Sequence, residues 1–153
     1  MQVTSEALED GARMPGRFAT ERGGGRNVSP PLAWSDAPEG TRSFVVTVID
    51  RHPAANDWIH WAVVDVPPDV TSLPEGSSGS VPGGRELVNT FGTRGWGGPQ
   101  PPPGRGPHRY EVSVRALSVP ELDVPERPSA EDLEGEMEGV VLASGALTVA
   151  YER

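Results

Sequence analysis

Ser43-Phe44-Val45-Val46-Thr47-Val48-Ile49 is a run of β-branched and aromatic side chains, bounded by Gly40 before it and by Asp50-Arg51-His52-Pro53 after it. Such residues fit a pleated surface packed from both sides, and a run this short between turn residues reads as a buried central strand. Working outward, His60-Trp61-Ala62-Val63-Val64-Asp65-Val66 stops at Pro67-Pro68. Proline lacks the N–H that a ladder needs, so a second strand ends there. Tyr110 to Leu117 alternates, with Tyr110, Val112, Val114 and Ala116 on one face and Glu111, Ser113 and Arg115 on the other. That is the pattern of a strand with one wetter face. Ala146 to Tyr151 is read as a last strand.

One helix is expected, over about 130–144. The hydroxyl of Ser129 can cap its first turn, and Glu131 and Asp132 favour the positive end of the helix dipole. Leu133, Met137, Val140, Val141 and Ser144 share one side at helical spacing, so the helix should lie on a surface and end at Gly145. Gly135 and Gly139 each cost about 1 kcal/mol relative to alanine, which makes this helix dependent on tertiary packing. Short strands, long Gly/Pro loops and one late helix indicate a mainly β protein, not alternating βαβ units: a two-sheet antiparallel β-sandwich with Greek-key-like connections. Residues 1–153 read as one domain, without repeat or linker; Pro74 to Glu86, rich in Gly and Ser, reads as a long surface loop.

Bulk composition narrows the function. A chain of 153 residues can bury about 68–70% of its unfolded surface. There is no cysteine, which excludes a disulfide framework, a thiolate zinc site and a cysteine nucleophile. Thirteen basic against 22 acidic side chains give a net charge of −9. Lysine is absent, and Arg22, Arg26, Arg42 and Arg51 are scattered among glycines and acids. Such a surface repels nucleic acid and anionic membranes. No apolar run approaches the roughly 18–20 residues that cross a bilayer. Met1-Gln2-Val3-Thr4-Ser5-Glu6 lacks the basic start of a signal peptide. A cytoplasmic protein without membrane insertion is expected. The 19 glycines and 17 prolines cluster between the strand-like runs, as turn residues do.

Three histidines occur: His52, His60 and His108. His60 opens the second strand, His108 lies just before Tyr110, and Asp50 ends the first strand. Strand ends that feed long loops are where side chains from separate elements converge.

Four segments, in order, carry a resemblance: Arg26-Asn27-Val28-Ser29-Pro30-Pro31-Leu32-Ala33-Trp34; Pro38-Glu39-Gly40-Thr41-Arg42-Ser43; Asp50 with Trp58-Ile59-His60-Trp61; and Gly98-Pro99-Gln100-Pro101-Pro102-Pro103-Gly104 leading to His108-Arg109-Tyr110. Together they resemble the phosphatidylethanolamine-binding protein family, in its bacterial Raf-kinase-inhibitor-like branch, from about Met14 to the C-terminus. The resemblance implies a two-sheet fold with a pocket for phosphate-bearing or other small anionic groups. It also implies roles: Asp50 as the pocket aspartate, His60 and His108 as the two pocket histidines, Tyr110 beside the second, and Trp58, Gly98, Pro101 and Pro102 as walls. It further suggests a homodimer, and a protein partner such as a kinase or protease. Where the family usually reads Asp-Pro-Asp-Ala-Pro, this chain reads Asp50-Arg51-His52-Pro53-Ala54; His52 replaces an acid.

The chemistry of these residue types is consistent with an anion. An imidazole with an ordinary pKa near 6.5 becomes a cation as a phosphate approaches, and two of them are expected to donate charge-assisted hydrogen bonds. Asp50 is expected to keep both rings protonated and oriented. His52 reads as a turn residue on its loop, and Trp34, Trp61 and Trp96 as packing residues. The acid-rich stretch Glu131 to Glu138 reads as a solvated face.

The leading expectation is therefore a small-ligand binding and regulatory protein without a cofactor, metal or catalytic residue. The alternative is a metal-dependent or general-base hydrolytic enzyme using Asp50, His60 and His108, since two histidines and a carboxylate also form a metal site with open positions. No Gly-x-Ser-x-Gly elbow, His-Glu-x-x-His helix or phosphate-cradling loop supports that alternative.

Overall fold

The structure, a computed structural model, describes residues 1–153. The opening strand-like run forms β3 (Ser43–Asp50), buried along its whole length in the middle of a five-stranded antiparallel sheet. Beside it lie β4 (Trp58–Val66) and β7 (His108–Leu117). The sheet is completed by β6 (Arg85–Glu86) against β4 and β8 (Val141–Tyr151) against β7. A smaller antiparallel sheet contains β1 (Gln2–Thr4), β2 (Leu32–Ser35) and β5 (Ser72–Leu73), in the order β1-β2-β5. From β4 the chain crosses to β5 in the small sheet, returns to β6 at one edge, then passes round to β7 on the far side of β3. This is the Greek-key-like connection of the expected mainly β sandwich.

Burial of β3 on both faces follows from two separate cores. Phe44, Val46 and Val48 pack with Trp61, Val112 and Val114 against Met14, Phe18, Trp34 and Leu73. Val45 and Ile49 pack with Ile59, Val64 and Leu117 under Leu122, Val124, Leu133 and Met137. The wetter face read for β7 is present, with Arg109 exposed and Glu111 and Arg115 half-buried, although the second layer covers its middle. Ser113 is buried, and its hydroxyl pairs with that of Thr47 at 2.9 Å. Arg115, half-buried, reaches outward to Glu134.

Helix α1 (Ala130–Met137) starts where the sequence suggests. Ser129 Oγ accepts the Asp132 N–H while the Asp132 carboxylate accepts the Ser129 N–H, a complete capping box. Its end differs from the expected 144. Gly139 takes a left-handed backbone (φ +83°), and Val141 onward extends as β8, with Leu117 opposite Val141 and Ser113 opposite Ala146. A helix to Gly145 would leave Val114–Leu117 of β7 unpaired on the edge away from β3, and unpaired backbone is costly. Val140-Val141-Leu142 suits a strand better than a helix, being mostly β-branched. Val140, Val141 and Ser144 are therefore not on the helix.

The Pro74 to Glu86 loop is also shorter than read, because Arg85 and Glu86 pair with Val64 and Val63. The Glu86 carboxylate clasps the rest of that loop. It accepts from Trp61 Nε1 at 2.7 Å, from Ser78 Oγ at 2.6 Å and from the Gly79 N–H at 2.6 Å. No helix is long and apolar enough to cross a membrane.

Candidate functional site

One rung of the large sheet carries three of the expected site residues. Asp50 at the end of β3 stands opposite Tyr110 of β7 on one side and opposite Trp58 of β4 on the other. Directly opposed residues project to the same face of a sheet, so all three side chains face one cavity of about 230 Å³. His60 joins them through a break in register. Ile59 lies opposite Ile49 and Trp61 opposite Val48, so His60 is the extra residue of a β-bulge. A bulge re-aims a side chain; here it lets His60 face the cavity although the next residue, Trp61, packs into the same-side core. His108, at the start of β7, completes the polar set.

The two histidines are held differently. Asp50 Oδ2 accepts from His108 Nδ1 at 2.6 Å, and Asp50 Oδ1 accepts the backbone N–H of His52 at 2.9 Å. His60 Nδ1 instead lies 2.6 Å from the Gly97 carbonyl oxygen. A carbonyl only accepts, so Nδ1 carries the proton. The expectation that Asp50 orients both rings is thus corrected: it holds His108, and backbone holds His60. Burial pushes the His60 pKa below its usual 6.5, and the nearby His108 adds to this; the Gly97 and Gly98 carbonyls and the Asp50 charge pull the other way without prevailing. His60 is therefore a neutral imidazole near neutral pH, not the cation that the residue types suggested. Burial, with Asp50 and Tyr151, raises the Tyr110 phenol far above its ordinary value, keeping it a hydroxyl donor.

Apart from Trp58 of β4, the walls come from the segments between strands. Trp58, Pro101, Pro102, Phe91, Gln100 and Ala55 line the cavity. Phe91 meets the Trp58 ring edge-on at 5.2 Å and the His60 ring at 5.6 Å. Gly98 does not line it. It lies behind His60, where its N–H donates to Asn27 Oδ1 at 2.8 Å and a Cβ would collide with the Phe18 carbonyl oxygen. The same loop is tied to the Phe18–Thr20 segment by Trp96 Nε1 to Phe18 O at 3.0 Å and by Thr20 Oγ1 to Gln100 Oε1 at 2.8 Å. Arg153 Nε donates to the Pro101 carbonyl at 2.7 Å.

A family model described as phosphatidylethanolamine-binding protein matches residues 4–152. The chain belongs to this family. Among its relatives is the UPF0098 protein YbhB of Escherichia coli K12, 40% identical over 158 residues that cover 99% of both chains. A UPF0098 protein of Aquifex aeolicus is 37% identical over 155 residues, covering 100% of this chain and 89% of the other. The crystal structure of Escherichia coli YbcL, described as a new member of the mammalian PEBP family, superposes with a TM-score of 0.90 at 35% identity, covering 99% of this chain and 98% of that one.

Within this member of the phosphatidylethanolamine-binding protein family, His52 is more than the turn residue read from sequence. Its ring stacks on His108 with centroids 3.9 Å apart, and its Nδ1 accepts the Ala54 N–H at 3.0 Å. Nothing in the sequence pairs His52 with His108, because they are brought together only when β3 and β7 align. Phe91, Gln100 and Ala55 were missed for a related reason: they lie in loops without periodicity. Trp34, Trp61 and Trp96 are packing residues as read. No group of three or more His, Cys, Asp or Glu side chains is arranged to hold an ion. The Asp50 carboxylate holds His108 Nδ1 and the Gly97 carbonyl holds His60 Nδ1, so neither ring uses its Nε2 for a protein partner.

Proposed function

We propose that the protein binds a small phosphate-bearing or otherwise anionic ligand in this cavity. The observation that carries the reading is the Asp50–His108 pair beside the Tyr110 hydroxyl. With Nδ1 held by Asp50, a proton on His108 Nε2 makes the ring a charge-assisted donor to an entering anion, and Asp50 balances the charge from behind. Tyr110 supplies a second donor, since its hydroxyl has no protein partner and stays protonated. Apolar walls from Trp58, Phe91, Pro101 and Pro102 suit the organic part of a small ligand. Modulation of a kinase or protease rests on family resemblance alone.

The test is titration calorimetry with orthophosphate and phosphorylethanolamine, alongside NMR of the imidazole signals. Binding should shift His60 and His108 together, and His108→Ala should abolish binding while leaving thermal unfolding cooperative. Unchanged affinity in that variant would overturn the reading. A hydrolytic reading is favoured by one observation, the unbonded His60 Nε2, a free base in a buried site. Release of nitrophenol from nitrophenyl phosphate, lost in His60→Ala, would establish it.

A further inference from the structure

Resting on the anion-pocket reading, we propose that the preferred ligand is a phosphomonoester bound with a P–O–H group. Phosphodiesters and sulfate are then disfavoured, because Asp50 and His60 Nε2 meet the ligand as hydrogen-bond acceptors.

The argument begins with hydrogen-bond direction. The proton of His60 is fixed on Nδ1 by the Gly97 carbonyl, so the neutral ring keeps a lone pair on Nε2. That nitrogen makes no hydrogen bond to the protein, and His60 is only 3% exposed while lining the cavity. The Asp50 carboxylate accepts one hydrogen bond on each oxygen and has room for more, since an ionised carboxylate offers about four lone-pair sites. The cavity therefore has two kinds of polar wall. His108 Nε2, when protonated, and the Tyr110 hydroxyl donate; His60 Nε2 and Asp50 accept.

Phosphate chemistry divides on this point. Sulfate and a phosphodiester offer oxygen lone pairs on every side and no donor. Seated here, either would set lone pair against lone pair at His60 and Asp50, where burial leaves little water to relieve the contact. The monoanion of a phosphomonoester has the same charge as a phosphodiester but carries one P–O–H, which can donate to His60 Nε2 or to Asp50. This points away from the phosphodiester of an intact phospholipid and toward a soluble phosphorylated metabolite.

A proton requirement follows. The second ionisation of a phosphomonoester lies at about 6, so above that pH the dianion must gain a proton to bind. The ionisable groups facing His60 are Asp50 from β3 and His108 and Tyr110 from β7; the loop behind it contributes only the carbonyls of Gly97 and Gly98. The inference places this proton on the ligand, since a proton on Nε2 of His60 would turn that atom into a donor that a phosphodiester satisfies equally well.

Calorimetric titration with methyl phosphate and dimethyl phosphate at about pH 5, where both are monoanions, isolates the P–O–H at nearly constant size and charge. Methyl phosphate should bind at least about ten-fold more tightly. Affinities within about two-fold overturn the inference and leave the anion pocket standing, whereas binding of neither ester, nor of orthophosphate, overturns both. At about pH 7.5, methyl phosphate should take up close to one proton per site, measured in two buffers of different ionisation enthalpy. Absence of uptake there also overturns the inference.

Discussion

His52 and His108 lie ring on ring, 3.9 Å between centroids and 8° from parallel. His52 Nδ1 is occupied by the Ala54 N–H and so bears no proton, and the His52 backbone N–H donates to Asp50 Oδ1. One residue thus braces both members of the Asp50–His108 pair. A stacked aromatic contact contributes about 0.5–1.5 kcal/mol beyond the area it buries. His52→Ala should therefore weaken phosphate binding about three- to ten-fold, and His52→Phe, which restores a flat ring, should recover most of it. Calorimetry on the two variants checks this, and equal losses in both would remove the stack from the account.

Stability should depend on pH through His60. Because burial lowers its pKa in the folded state from 6.5, the unfolded chain binds the proton more readily. Its contribution is fully present above pH 6.5 and is lost as pH falls below it, by up to about 1.4 kcal/mol per unit. Urea unfolding between about pH 7.5 and 5 should show wild type losing more stability than His60→Gln over that span. Glu75 and Glu126, held below 4.5 mainly by hydrogen bonds from Arg17 and Arg94, titrate under this window.

Glu86 is expected to matter more than its place on a two-residue edge strand suggests. Glu86→Ala leaves the indole N–H of fully buried Trp61 without its acceptor and releases Ser78 and Gly79. A buried donor left unsatisfied costs about 1–3 kcal/mol, which chemical denaturation would read. Amide exchange should speed up in residues 74–84, whereas Glu86→Gln, still an acceptor, should be milder.

Gly98→Ala tests the packing behind His60. The added methyl would run into the Phe18 carbonyl and the Ala19 backbone, neither of which is a flexible side chain. Overpacking of this kind costs about 1–3 kcal/mol. The loop should move outward with Pro101 and Pro102, and phosphate affinity should fall although no ligand contact has been removed.

Much of the large sheet was legible because β-branched runs bounded by Gly and Pro admit few other readings: β3 lies where the pattern places it, and β4 and β7 each merely begin two residues earlier, at Trp58 and His108. The end of α1 was not, since Val140, Val141 and Ser144 satisfy helical spacing by chance and only the ladder with β7 decides between helix and strand. In the site, Asp50, His60 and His108 stood out as strand-end polar residues within family-like segments. What each was bonded to was hidden. The bulge at His60 has no local sequence signal, and the Gly97 carbonyl that decides its tautomer is brought in from a distant loop. The short strands β1, β2, β5 and β6 are too brief for any period to emerge.

The cavity wall around Gln100 and Pro101 is tethered at Thr20, Asn27, Phe18 and Arg153 before any ligand arrives. A receptor built this way has little disorder to give up on binding and no closure step to wait for. Its association rate should then scale linearly with ligand concentration and scarcely change between ligands of equal charge, leaving differences in residence time to set which ligand is retained.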